Sequence, residues 1–332
     1  MNRSESRDPG FRRLVHRLEN PEEFRHAVSG GSLAADFLAP REAATEVEQF
    51  QSPGWAMDFH EAKVKARIRC ELPPGWGSVG LMRSPAPSRW YGHEAHRGAL
   101  VFTPPGEAID GRIVPGFSCL SITVPGQVWA AARDLAGLES TNPGGARIHM
   151  IEPGAYHQIE RRIHGLRRML RTAGSDARLS DAAAAEALAF ATELISLAWS
   201  ACETSRDLRD SLRNRTRLAR RAEDWMRAHL GEPIQIPGIC RALGVSRREL
   251  EYAFRLIHDE SPRDFLHALR LNAVRRELLR ARIGDSVSRI ALDHGITHFG
   301  RFSVAYRRLF GVNPGGTGRG NGQVRAGLIP GR

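Results

Sequence analysis

Apolar residues recur at helical spacing through the last third of the chain and at strand spacing through the first. Between Gly244 and Pro262, Leu250, Ala253, Phe254 and Ile257 fall at i, i+3, i+4 and i+7, which predicts an amphipathic helix. Ser246 suits its N-cap, and Glu249 three residues on completes a capping box. The opposite face carries Arg247, Arg248, Glu251, Tyr252 and Arg255. Before the glycine, Ile239, Ala242 and Leu243 predict a short helix facing inward, with the small apolar Cys240 on it. A short helix, a glycine turn and a helix with a basic outer face make a helix-turn-helix pattern over 236–257. The pattern returns over 287–310. There Val287, Ile290 and Ala291 form the inner helix and Gly295 marks the turn. A second helix, starting near Thr297, buries Phe302, Ala305, Tyr306 and Leu309 and leaves Arg301, Arg307 and Arg308 outside. Between the units a long helix offers Phe265, Leu266, Leu269, Leu278 and Leu279 to pack both together.

Upstream the period changes to two. Val64, Ala66, Ile68, Cys70 and Leu72 share one face, opposite Lys63, Lys65, Arg67, Arg69 and Glu71. Short runs of this kind, broken by Pro and Gly, fill 32–128 and predict a small β-sandwich or barrel. Residues 1–20 are charged and read as loose. A short helix follows, capped by Asn20 with Pro21 at its first position. Segments 127–139 and 155–212 read as helices, with Ile159, Ile163, Leu166 and Leu170 on one face; they cover the β-rich region or pair with a second subunit. Asp207–Arg221 is charged and lacks periodicity until Leu218, so the domain boundary is placed there. The first helix beyond it turns Leu218, Ala222, Trp225 and Leu230 inward. The expectation is an α+β protein: an N-terminal sensor or dimerisation domain over 1–210, an all-α domain over 216–315 with two helix-turn-helix units joined by a long helix, and a Gly-rich tail over 316–332 read as disordered.

Composition sharpens this picture. The 332 residues suffice for two domains with cores of their own. Of a net charge of +11, residues 211–332 hold 23 arginines against 11 acidic residues, a balance of +12, so the remainder is near neutral. Such asymmetry is the footprint of a polyanion-binding module. All but Lys63 and Lys65 of the basic residues are arginine, whose planar fork suits phosphate and guanine. Four scattered cysteines form no C-x-x-C motif and read as buried thiols of a reducing cytosol. The polar start of the chain reads as no signal peptide, and Glu186 and Glu193 interrupt the most apolar stretch. The protein is therefore read as cytoplasmic, without membrane contact and without cofactor or metal.

The C-terminal motifs resemble the AraC/XylS type of DNA-binding domain over residues 217–315. They comprise Ser261-Pro262, Phe265-Leu266, Arg270-Leu271, Leu278 and Leu279, then Phe302, Tyr306, Arg307, Phe310-Gly311 and Pro314. Ile296 stands where that family usually has Phe, and Val274 where its linker helix usually has Ala-Arg, with Arg275 one place later. The stretch from His298 to Gly311 is most similar to the subgroup of ethanolamine-operon regulators. Upstream, Trp90-Tyr91-Gly92 and the run from Gly98 to Glu107 resemble the cupin-like sensor domain of many members.

The resemblance implies double-stranded DNA as partner, a small-molecule effector for the N-terminal domain, RNA polymerase if the protein activates, and a homodimer as one assembly. By position in the motif, Arg248, Glu251 and Tyr252 face bases in the first unit, beside Arg247. His298, Gly300, Arg301 and Val304 hold the equivalent places in the second. Glu251 either accepts from cytosine or orients Arg248 or Arg255. Ser246, Ser303, Arg255, Arg307 and Arg308 suit phosphates, which position without specifying. Two other readings compete. A cupin-like metalloenzyme fused to a DNA-binding tail would use His93 and His96, but H-x-x-H on a strand points its rings to opposite sides. A non-specific architectural protein would not need two differently composed recognition helices. No Ser-His-Asp set or phosphate loop stands out, so the chain reads as a non-enzyme.

Overall fold

Alternation of apolar and polar residues already produces a strand at the start of the chain. The computed structural model describes residues 11–137, 148–173, 181–204, 210–282 and 285–317. Strands β1 (Arg12–Leu18), β3 (Thr45–Ser52), β4 (Trp55–Ala62), β6 (Trp76–Met82), β9 (Ala99–Thr103), β11 (Phe117–Pro125) and β12 (Ile148–Met150) form a seven-stranded sheet in the order β1-β3-β4-β11-β6-β9-β12. Strands β2 (Ser32–Phe37), β5 (Ala66–Glu71), β7 (Ser88–Trp90), β8 (His93–Ala95) and β10 (Ile109–Ile113) form a second sheet, ordered β2-β5-β10-β7-β8. Neighbouring strands pair antiparallel.

Two points of the sequence reading need correction. The charged N-terminal stretch is not loose beyond residue 11, because Leu14 to Leu18 pair with Thr45 to Gln49 on β3. The helix at Pro21–His26 is a 3-10 turn, and the Asn20 side chain donates to Glu23 Oε1 at 2.8 Å instead of capping it.

The two faces of the large sheet have different tasks. Met57, Phe59, Leu81, Leu100, Leu120 and Ile122 point outward to a core completed by helices. These are α1 (Gly126–Leu135), α2 (Pro153–Thr172) and α3 (Asp181–Thr204), which bring Trp129, Ile159, Ile163, Leu166, Leu170 and Phe190. Intervening residues such as Asp58, His60 and Ser121 face the second sheet.

From Asp210 on, the charged segment at which the domain boundary is placed is the opening of one helix, α4 (Asp210–Ala228). Its inward face is Ala219, Ala222, Glu223 and Met226, with Leu218 and Trp225 only half-buried. Then come α5 (Ile236–Leu243), α6 (Arg247–His258), α7 (Pro262–Leu278), α8 (Val287–Asp293) and α9 (Phe299–Phe310). Gly244 takes φ 68° between α5 and α6, a left-handed turn that glycine adopts at little steric cost. Ala242 is exposed, against expectation, because α5 packs through Ile236, Ile239, Cys240 and Leu243 on its other side. Helix α7 is buried nearly all round, as expected of a helix enclosed by neighbours.

The neighbouring helices cover one side of α7, and the β-domain covers another. The exposed edge of β2 would leave backbone groups unpaired. Asn272 on α7 answers it: its side chain accepts from Phe37 N–H at 3.0 Å and donates to Phe37 C=O at 2.9 Å. Nearby, Arg275 grips Glu22 with bonds of 3.0 and 2.7 Å, and its guanidinium lies 4.9 Å from the Phe310 ring centroid. Arg227 and Arg276 both reach the buried Asp36 at 2.6 Å. Glu223, wholly buried on α4, bonds Arg67 of β5 at 3.0 Å, and Arg227 and Arg69 sit at 2.8 and 3.2 Å. Burial alone would raise the Glu223 carboxyl, but Arg67 and Arg227 hold it far below the usual range. Arg67 also pairs Asp110 at 2.8 Å. Where β7 turns into β8, a side chain at Gly92 would collide with Thr216 of α4.

Two outcomes follow from this interface. Asn272→Ala strands the Phe37 amide and carbonyl, and should lower stability by about 1–3 kcal/mol, read as the shift in a urea unfolding midpoint. His258, stacked on Phe265 at 4.3 Å, has burial pushing its imidazole down to about 3, and Arg67 adds to the effect. The unfolded chain therefore binds the proton first, and stability contributed by neutral His258 is full above pH ~6.5 and lost as pH falls toward 3. His258→Phe should lose less stability than the parent between pH 7 and pH 4 in thermal unfolding.

Candidate nucleic-acid interface

Helix α6 is fixed at its start by its own capping box. Ser246 Oγ accepts from Glu249 N–H at 3.2 Å, and the Ser246 amide donates to Glu249 Oε2 at 2.8 Å. Capping satisfies amides that a helix start leaves free. Leu250, Ala253, Phe254 and Ile257 are buried, which turns the other side outward. Ser246, Arg247, Arg248 and Arg255 are exposed there, and Tyr252 is 53% exposed.

The polar groups on this face are not equivalent. Arg247 donates to Glu251 Oε1 at 2.8 Å, one turn along the helix. Glu251 thus orients Arg247, and not Arg248 or Arg255. Tyr252 is partnered too: the Arg215 guanidinium of α4 lies 4.4 Å from its ring centroid, a cation–π distance. Arg248 and Arg255 form no ion pair among the described residues.

Helix α9 starts differently. His298 occupies its N-cap with φ −108°, and its side chain makes no capping bond. Phe302, Tyr306, Leu309 and Phe310 are buried, while His298, Phe299, Gly300, Arg301, Ser303, Val304, Arg307 and Arg308 are exposed. Val304 is 62% exposed. A Cβ at Gly300 would meet nothing within 4 Å, so the missing side chain is no requirement of packing. The Tyr306 hydroxyl pairs with Thr317 Oγ1 at 2.8 Å, so the chain is placed through Thr317; residues 318–332 of the tail lie outside the described residues.

The predicted site residues are therefore gathered on the outer faces of α6 and α9, away from the β-domain contacts of α4 and α7. The sequence reading missed Phe299, which shares the α9 surface at 40% exposure. It also missed Arg215, which the helical run through 210–217 would have placed beside Tyr252. Among the described residues no group of three or more His, Cys, Asp or Glu is gathered for a metal, and no helix is long and apolar enough to cross a membrane.

Comparison with known proteins adds to this geometry. Residues 239–320 match the family model described as a helix-turn-helix domain. The chain is 35% identical over 98 residues to a probable thc operon regulatory protein of Rhodococcus erythropolis, covering 29% of this chain and 30% of that protein. It is 36% identical over 89 residues to the HTH-type transcriptional regulator ArgR of Pseudomonas aeruginosa, covering 27% and 26%. The chain thus spans less than a third of the length of these curated relatives. Among solved structures, an AraC-type regulator from Chromobacterium violaceum is similar at 29% identity, over 33% of this chain and 97% of that one, with a TM-score of 0.31. The AraC-like transcriptional activator CuxR is similar at 16% identity, over 85% and 99%, with a TM-score of 0.40. Residues 239–320 are thus a helix-turn-helix domain similar in sequence to those of bacterial transcription regulators.

Proposed function

We propose that this protein is a sequence-specific, DNA-binding transcriptional regulator of the AraC/XylS type, controlled by a small molecule bound in its N-terminal domain. The observation that carries the reading is the pair of exposed, differently composed helix faces, α6 and α9, each set behind a short helix and a turn and joined through α7. The matched helix-turn-helix domain and the two relatives named as regulators support it. Each helix enters a major groove, and the two grooves lie on one side of the duplex, about 34 Å apart. Arg248 and Arg301 are the base readers, since an unpaired guanidinium can bind guanine O6 and N7 together. Glu251, Tyr252, His298, Gly300 and Val304 line the groove faces beside them. Arg247, bonded to Glu251, lies beside the first reader, and Ser246, Arg255, Ser303, Arg307 and Arg308 hold phosphates. The His298–Gly311 segment resembles that of ethanolamine-operon regulators. The protein acts in the cytoplasm, meets RNA polymerase if it activates, and dimerises through α2 and α3 if it dimerises.

Control by the N-terminal domain is supported by alternation along two strands. On β5 and β10, Ile68, Cys70, Ile109 and Ile113 face the interior, while Arg67, Arg69, Asp110 and Arg112 face the C-terminal helices. A ligand touching the first set biases the second, which holds α4 and the end of α6.

Selection of genomic fragments by purified protein at near-physiological salt should return a motif of two unlike boxes about one helical turn apart; binding without any recoverable motif would overturn the two-reader arrangement. Arg248→Ala should relax preference in one box and cost about 1–3 kcal/mol on the target site. Unchanged discrimination between target and random DNA in a gel-shift titration would remove Arg248 as a reader.

A further inference from the structure

Between the two sheets lies a cavity of about 70 Å3. A water needs roughly 10–15 Å3 on this measure, so the space equals about five waters, or one small ring. Its two walls differ in chemistry. The seven-stranded sheet contributes the polar Thr45, His60, Ser78, Thr103 and Ser121 among apolar residues such as Met82, Val101 and Cys119, and Gly80 lies opposite Ser121. The five-stranded sheet contributes Ile68, Ile109, Ile113 and Trp90, whose ring leans on Phe117 at 5.8 Å. No Asp, Glu, Lys or Arg is among the described residues that line the space.

The polar wall is partly unsatisfied. Thr45 Oγ1 is buried with no hydrogen-bond partner. The His60 ring has none among the described residues, and burial pushes its imidazole down to about 4, leaving it neutral. Asp58, on the same strand and face, lies outside the lining with its oxygens already engaged: it accepts from the Ser29 amide at 2.8 Å and the Ser29 hydroxyl at 2.5 Å. A charged ligand would meet no counter-charge in the lining itself, which is strongly unfavourable in so apolar a space. A neutral ligand that bonds Thr45 and His60 would satisfy groups now left without partners.

We infer that this cavity takes an uncharged, ring-sized molecule that lays an apolar face toward Trp90 and presents one hydrogen-bonding group to Thr45 and His60, and that it rejects carboxylates, phosphates and ammonium ions. The inference rests on the reading of the N-terminal domain as an effector-binding domain, and it names the effector's chemical class.

Three probes with one skeleton test it: benzyl alcohol, benzoate and benzylamine, titrated calorimetrically into the full chain without DNA. Benzyl alcohol should bind, and the two ions should bind on the order of ten-fold more weakly or worse. His60→Leu should weaken benzyl alcohol. Gly80→Val should abolish its binding by filling the space, since a Cβ there has only the mobile Met82 methyl at 3.3 Å to displace; circular dichroism confirms that each variant is folded. Equal or tighter binding of benzoate or benzylamine, no binding of benzyl alcohol at millimolar concentration, or undiminished binding by both variants would overturn the inference. DNA selection is a separate readout: loss of a recoverable motif with benzyl alcohol still bound would sink the regulatory reading and leave the cavity's chemistry standing.

Discussion

The buried carboxylate of Glu223 is the constraint on which the arrangement of this protein depends. A charge removed from water is costly unless it is closely paired and hydrogen-bonded. Glu223 meets that demand only where α4 lies against β5, with Arg67 on one side and Arg227 on the other. Moving α4 away would cost Glu223 its bonds to Arg67 and Arg69 and leave Arg67, which is 3% exposed, with Asp110 as its one carboxylate. Pairing of this kind adds little net stability against an apolar alternative, but it penalises every other placement of the helix. The same logic applies to Asn272, whose amide serves the open edge of β2 and no other strand.

This interface changes the meaning of the charge asymmetry. The arginine excess of the last third reads as a surface for a polyanion, and part of it is not available for that. Arg220, Arg227, Arg275 and Arg276 pair with Asp110, Asp36 and Glu22 of the β-domain. Arg248 and Arg255 on α6 and Arg301, Arg307 and Arg308 on α9 are exposed and form no ion pair among the described residues, as is also true of Arg221, Arg241 and Arg263 elsewhere. Intramolecular pairing thus withdraws part of the basic excess, and it leaves five arginines of the faces proposed to meet DNA free.

A second division runs through the β-domain. Its large sheet is apolar toward α1–α3 and mixed toward the interior, so one strand serves both a helix-covered core and a small polar-walled cavity. Strands β5 and β10 do the same for the cavity and the interdomain contacts. Alternation with period two makes this possible, because neighbouring side chains on a strand point to opposite faces.

Local rules carried much of this structure. Apolar spacing placed α6, α9 and the inward face of α2, and the Ser246–Glu249 pair marked the start of α6 at its residue. These features depend on contacts within a turn or two, so the sequence by itself determined them. It missed β1, whose charged residues Arg12, Arg13, Arg17 and His16 hide a strand that exists only because β3 offers an edge to pair with. It broke α4 at Leu218, because the turns of that helix before Leu218 are charged and polar and carry no apolar stripe. It could not foresee that Glu251 would bond Arg247, or that Asn272, His258 and Arg275 would be buried. Each of those depends on a partner tens to hundreds of residues away, or on which of several neighbouring arginines the packing leaves within reach. Only the tertiary structure decided them, because charge pairing over long separations has no periodicity for a sequence to show.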